Sequence, residues 1–219
     1  FGKKSYSDLI KRDYRRLAGF GDVRRGDIVV FNFPHGDTVL AKLPADDYYT
    51  HVRFNGREYT EKTYGPLIVR PVDKEDNYVK RCVAVAGDTL EVRDGEVFVN
   101  GELQDTYPGV QNTYRVVTSG SPINPRILED AGVQTADAWF DASLPGYPSM
   151  AMTAEAADRI AAVANVQECR RNVDAYPPDY PDSYLMLFPF TEDFRWTRDN
   201  YGPLYIPAKG DSVALTLEN

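Results

Sequence analysis

Lys80 lies in the run Tyr78-Val79-Lys80-Arg81-Cys82-Val83-Ala84-Val85-Ala86, whose β-branched and small apolar residues predict a strand. Strand geometry alternates side chains. Lys80 therefore shares a face with Cys82, Ala84 and Ala86, and Arg81 shares the other with Val79, Val83 and Val85. A lysine packed against hydrocarbon loses hydration, which favours the neutral amine, and a neutral lysine amine can act as a general base. On an edge strand the same side chain would reach water and keep its charge, so both readings stand at this level. Arg81 on an apolar face calls for a carboxylate partner that the sequence does not name.

Other constellations are sparse. His35 and His51 are the two histidines, too few for a His-based metal site without carboxylate help, and there is no G-x-S-x-G elbow. The Gly-Asp pairs, Gly26-Asp27 and Gly87-Asp88 among them, read as turns and lack the spacing of a calcium or phosphate loop. Cys82 and Cys169 stand far apart with no CxxC, which disfavours structural zinc, and Cys82 in an apolar run reads as a buried free thiol. No cofactor is expected. Lys plus Arg is 25 against 33 for Asp plus Glu, a net charge of −8 that repels nucleic-acid phosphate. Over 219 residues, 42% are hydrophobic, too many for a disordered chain and enough for a real core. No apolar run approaches the roughly 20 residues of a membrane-spanning helix, and the start Phe1-Gly2-Lys3-Lys4 is no signal peptide.

The elements that would position Lys80 are mainly strands. Ile28 to Phe33 is a strand candidate stopped by Pro34, followed by candidates at 38–43 and 48–54, the latter closed by Asn55-Gly56 hairpin chemistry. Residues 89–93 and 96–99, joined by Asp94-Gly95 and followed by Asn100-Gly101, carry the strongest hairpin signal. A short helix is expected over 6–17. After Gln104 strand patterning fades, and helices are expected at 124–131 and 153–172, the second with Thr153 as N-cap and Arg170-Arg171 in its last turn. Residues 184–190 and 203–217 look β-like again. The fold class expected is mainly β, a hairpin-rich sheet domain with an α-containing (α+β) insert. The expected division is 1–104 for the sheet domain, 105–210 for the insert and 211–219 for a returning strand.

Arg25-Gly26-Asp27-Ile28-Val29-Val30-Phe31 resembles the RGDIVVF box of type I signal peptidases. The run 78–88, with its Lys-Arg pair leading through an apolar strand to Gly87-Asp88, resembles that family's next box, and the hairpin over 91–101 is similar to the family's segment after that box. Arg16-Leu17-Ala18-Gly19-Phe20 and the long insert look most like the enlarged Bacteroidetes-type enzymes. The resemblance implies a Ser–Lys peptidase in which Lys80 is the general base. Arg81 would brace the site against an acidic residue of a later box, and Asp27 and Asp88 would support it as turn formers.

The family's Ser-Met box, followed by a Pro-Thr-Leu type sequence, would lie upstream of Arg25. Neither Ser5 nor Ser7 is followed by Met, and Gly210-Asp211-Ser212-Val213 does not match the last family box. The expectation is therefore an internal piece without the nucleophile, the last box or the N-terminal membrane anchor, inactive alone. The intact enzyme would remove signal peptides from exported preproteins at the periplasmic face of a bacterial inner membrane. The competing class is a non-catalytic, β-rich extracytoplasmic binding module.

Overall fold

Asp94-Gly95 and Asn100-Gly101 adopt positive φ at all four residues (48°, 80°, 55° and 82°), the conformation that two-residue hairpin turns require. In the computed structural model, which describes residues 9–10, 15, 17–19, 21–174, 187–191, 193–212 and 214, these turns organise one of four small sheets. The strands are β1 (Ile28–Asn32), β2 (Thr38–Leu40), β3 (Leu67–Val69), β4 (Asn77–Arg81), β5 (Thr89–Arg93), β6 (Glu96–Val99), β7 (Glu102–Leu103), β8 (Asn112–Thr118), β9 (Gly146–Met152), β10 (Val166–Arg171) and β11 (Tyr201–Tyr205). Four α-helices accompany them among the described residues: α1 (Tyr48–Asn55), α2 (Arg57–Tyr64), α3 (Pro125–Asp130) and α4 (Ala154–Ala161). The mainly β class with helical additions is thus as expected. The sheets are β1-β4, β2-β3, β11-β5-β6-β7 and β10-β8-β9.

Two compact units divide the chain: residues 1–90, 178–196 and 204–219 form one, and 91–177 with 197–203 the other. In the first unit the antiparallel β1–β4 pair carries Lys80 and Arg81. The β2–β3 pair encloses the two helices in sequence and buries Val39 and Leu40. The second unit holds a continuous apolar core of Val116, Ile123, Leu128, Tyr147, Met150, Met152 and Ile160 with their neighbours. There α4 lays Ala156, Ala157 and Ile160 inward, and Thr153 Oγ1 accepts from the Ala156 N–H at 3.2 Å, the expected N-cap.

Several local expectations are corrected. Residues 48–54 are helical because Asp47 is an N-cap: its carboxylate accepts from the Tyr49 N–H at 2.9 Å and the Thr50 hydroxyl at 2.7 Å. Asn55-Gly56 then joins two helices, with Gly56 at φ 79° donating its N–H to Val52 O, so the cap outweighs the strand preference of the aromatic residues. The helix expected over 153–172 ends at Ala161, and Arg170-Arg171 belong to β10, where pairing with β8 outweighs local helix preference. Strands β8 and β9 lie where strand patterning fades, since Pro148 in β9 and the bulge between the two strands interrupt their alternation. The 6–17 helix falls largely outside the described residues. So does the start of the 184–190 candidate, whose described part is not strand. β11 occupies the beginning of the last β-like stretch.

The Asp94-Gly95 turn is fixed by partners within its own unit. Gly95 N–H donates to Asp199 O at 2.8 Å, Asp94 N–H to Asn200 Oδ1 at 3.1 Å, and Arg171 Nη2 to Gly95 O at 3.0 Å and Asn112 Oδ1 at 2.8 Å. A Cβ on Gly95 would collide with Arg171 Nη2, at a φ that side-chain-bearing residues resist. Gly95→Ala is expected to cost about 2 kcal/mol in urea unfolding, combining left-handed strain with displacement of Arg171. Gly101→Ala, whose Cβ would meet nothing within 4 Å, isolates the strain and costs about half as much.

Candidate active site

The RGDIVVF stretch folds as a turn followed by β1. Asp27 Oδ2 accepts from the Arg24 N–H at 2.8 Å, and the Asp27 N–H donates to Arg24 O at 3.2 Å, so Asp27 closes the turn that launches the strand. β1 pairs with β4 in the register Ile28↔Arg81, Val29↔Lys80, Val30↔Val79. The ladder continues one step further: Gly26 N–H donates to Cys82 O at 2.7 Å and Cys82 N–H to Asp27 O at 2.8 Å. Two stretches distant in sequence are therefore hydrogen-bonded neighbours, with Lys80 in the middle of the ladder.

Asp88 is the buried polar anchor of this region, 5% exposed. Arg25 grips it with both arms of its guanidinium: Nε reaches Oδ2 at 2.8 Å and Nη2 reaches Oδ1. Asp88 Oδ2 also accepts from the Val85 N–H at 2.8 Å, closing a turn completed by Asp88 N–H to Val85 O. Backbone bonds of 2.8 Å from Gly87 N–H to Ile206 O and from Ile206 N–H to Asp88 O hold this turn against the chain segment around 206. Arg25 was not singled out from the sequence. The signal available was the buried Gly-Asp turn itself, since a buried carboxylate calls for a cation.

The strand expected to run to Ala86 stops at Arg81, with Cys82 as the last rung bonded to the β1 side, because residues 83–88 turn away toward 206 and leave the ladder. The apolar face imagined for Lys80 does not extend through Ala84 and Ala86, and every residue of β4, Lys80 included, is exposed in the described structure. Arg81 does not lie in an apolar pocket either. It is exposed, and its Nη1 donates to Gly26 O at 2.7 Å, which braces the turn ahead of β1. Among the described residues no hydroxyl group is hydrogen-bonded to Lys80. Cys82 and Cys169 are free thiols, each half-buried, and burial pushes the Cys169 thiol up.

A second polar cluster in the same unit involves His35. Its Nδ1 lies 3.0 Å from Asp47 Oδ2, the same oxygen to which Thr50 donates, while Arg53 Nη2 donates to Thr50 Oγ1 at 2.8 Å and stacks its guanidinium 3.8 Å from the Phe190 ring centre. Burial works to raise the Asp47 carboxyl, but the Thr50 hydroxyl, then His35 and the Tyr49 N–H, bring it below the usual aspartate value. The Thr50 hydroxyl is spent on Asp47 and not on a histidine nitrogen. The cluster therefore caps α1 and is not a nucleophile–base–acid relay.

A two-stranded ribbon whose edges carry no further strand among the described residues, with Lys80 in its ladder and a charge-clamped turn beside it, can accept an extended peptide by strand addition. A sequence model of the family described as signal peptidase, peptidase S26, matches residues 3–168, more than half of the chain. The chain belongs to this signal peptidase family, a family of hydrolases. No curated protein and no solved structure matches it. No helix among the described residues is long and apolar enough to cross a membrane.

Proposed function

We propose that this chain carries the base half of a Ser–Lys signal peptidase, with Lys80 taking the proton of a serine that attacks the peptide carbonyl. The observation that carries the proposal is the register Val29↔Lys80, which sets the Lys-Arg box and the RGDIVVF box side by side with the lysine uncovered at mid-strand. A lysine base must be largely desolvated. In this reading the segment that brings the serine also covers the exposed face of β4, and the signal peptide lies along the ribbon as an added strand.

Asp27, Asp88 and Arg81 are positioning residues: Asp27 and Arg81 hold the turn before β1, and Asp88 binds Arg25 to the turn after β4. Residues 105–210 are the insert on the catalytic β-domain, and 211–219 lead back to it. The protein works at the periplasmic face of an inner membrane on exported preproteins, without metal or cofactor. Ser149-Met150 is a Ser-Met pair, but it stands in β9 downstream of the lysine box, with Met150 fully buried, and is not the nucleophile.

The test is a cleavage assay on a preprotein. The 219-residue chain is expected to leave the substrate intact, and a longer form with a Ser-Met box ahead of Arg25 is expected to cut it. Cleavage by the 219-residue chain itself overturns the missing-nucleophile reading, and a longer form that never cuts overturns the peptidase reading.

A further inference from the structure

The sheet β10-β8-β9 buries one face in the core of the second unit, and the other is uncovered among the described residues. On that face Arg115 of β8 and Arg170 of β10 are direct cross-strand partners, both exposed. Like charges directly opposite one another destabilise a sheet. Arg170 Nε has Glu168 Oε1 at 3.6 Å, too long for a hydrogen bond, and among the described residues Arg115 makes no side-chain hydrogen bond or ion pair. In a chain of net charge −8, Arg115 carries a positive charge with no carboxylate partner among the described residues, beside an Arg170 whose charge the ion pair with Glu168 only partly offsets.

Arg115 is also where the sheet departs from regular pairing. Tyr114 opposes Met150 and Val116 opposes Tyr147, so Pro148 and Ser149 together face the single residue Arg115. Such a bulge bends its strand and re-aims the side chains beside it. It is held open: Asn172 Nδ2 donates to Pro148 O at 3.0 Å and the Asn172 N–H donates to Thr113 O at 2.8 Å. A cavity of about 370 Å³ lies here, lined by Arg115, Val117, Leu144, Tyr147, Pro148 and Asn172.

We propose that this face of the second unit binds acidic peptide segments: a carboxylate bridges Arg115 and Arg170, and a neighbouring apolar side chain enters the cavity between Leu144, Val117 and Pro148. Charge complementarity selects the partner, since two opposed guanidinium groups accept a carboxylate in paired hydrogen bonds and are relieved of mutual repulsion by it. The apolar lining selects against a bare inorganic anion. The site is independent of Lys80 and of any peptidase activity.

The test is fluorescence anisotropy with the 219-residue chain and two labelled hexapeptides, one alternating leucine with glutamate and one alternating leucine with glutamine. The glutamate peptide is expected to bind about tenfold more tightly, with the advantage shrinking as salt rises. Arg115→Gln, an exposed change that leaves the core intact, should remove most of that tenfold preference, and Leu144→Asp should weaken the glutamate peptide while near-ultraviolet circular dichroism stays unchanged. Equal binding of the two peptides, no binding of either, or an unaffected Arg115→Gln variant overturns the proposal. Binding of phosphatidylglycerol vesicles in place of the glutamate peptide overturns it in favour of a membrane-facing surface.

Discussion

Lys80→Ala in a cleavage-competent form of the protein is expected to reduce signal-peptide cleavage by about 10³–10⁴-fold, the scale of losing a general base that acts as a unit with its nucleophile. The same substitution in the 219-residue chain should change unfolding free energy by no more than about 0.5 kcal/mol, since Lys80 is exposed on β4 and no described hydroxyl depends on it. The separation of the two effects is the point, because a structural lysine would lose both or neither. Lys80→Arg sharpens the test. Arginine keeps the charge and the strand yet cannot give up its proton in a protein, so the variant should fold normally and remain inactive. Full turnover by either variant would eliminate Lys80 as the base.

Asp88→Ala is expected to be the most damaging single change to the stability of the first unit. Asp88 is buried and accepts from both arms of Arg25 and from the Val85 N–H, so its loss removes three bonds and opens the turn that follows β4. Breaking a fully buried pair typically costs about 3–5 kcal/mol, but the Arg25 side chain is 39% exposed and water can take over part of its solvation. The expected loss is therefore about 2–3 kcal/mol. Urea unfolding of Asp88→Ala, Arg25→Ala and the double variant measures this directly. The double variant should lose clearly less than the sum of the singles, and strict additivity would show that the pair is not coupled. In cleavage assays both single variants should lower turnover through misplacement of β4, in contrast to Lys80→Ala, which leaves stability alone.

How much of this was legible in the sequence depended on whether the signal was local. The hairpins at Asp94-Gly95 and Asn100-Gly101 were readable because the turn residues themselves demand the backbone found there. The β1 strand and the Thr153 cap were readable for similar reasons. The two boxes and their order led to the family that the sequence model matches. The illegible parts came from non-local choices. Residues 48–54 are rich in β-formers, and only the Asp47 carboxylate, read as a cap, turns them into a helix. Strand β10 comes after a well-capped helix without a breaking residue, and its pairing to β8 decides its state. At the site, alternation placed Lys80 on an apolar face that requires a strand reaching Ala86, whereas the Val85–Asp88 turn and its bonds to Ile206 end the pairing early. Arg25 as the partner of Asp88 joins positions 63 residues apart, which no periodicity encodes.

The uncovered β1–β4 ribbon also bears on how the chain behaves at high concentration. Ile28, Val30 and Val79 are each more than half exposed on strands whose outer edges pair with no further strand among the described residues, the arrangement that invites edge-to-edge stacking between molecules. Lys80 and Arg81 put two adjacent positive charges on that ribbon, and aligned copies would have to bring those charges together. The two charges thus oppose edge-to-edge self-association, so neutralising Lys80 removes a colloidal safeguard together with the proposed base.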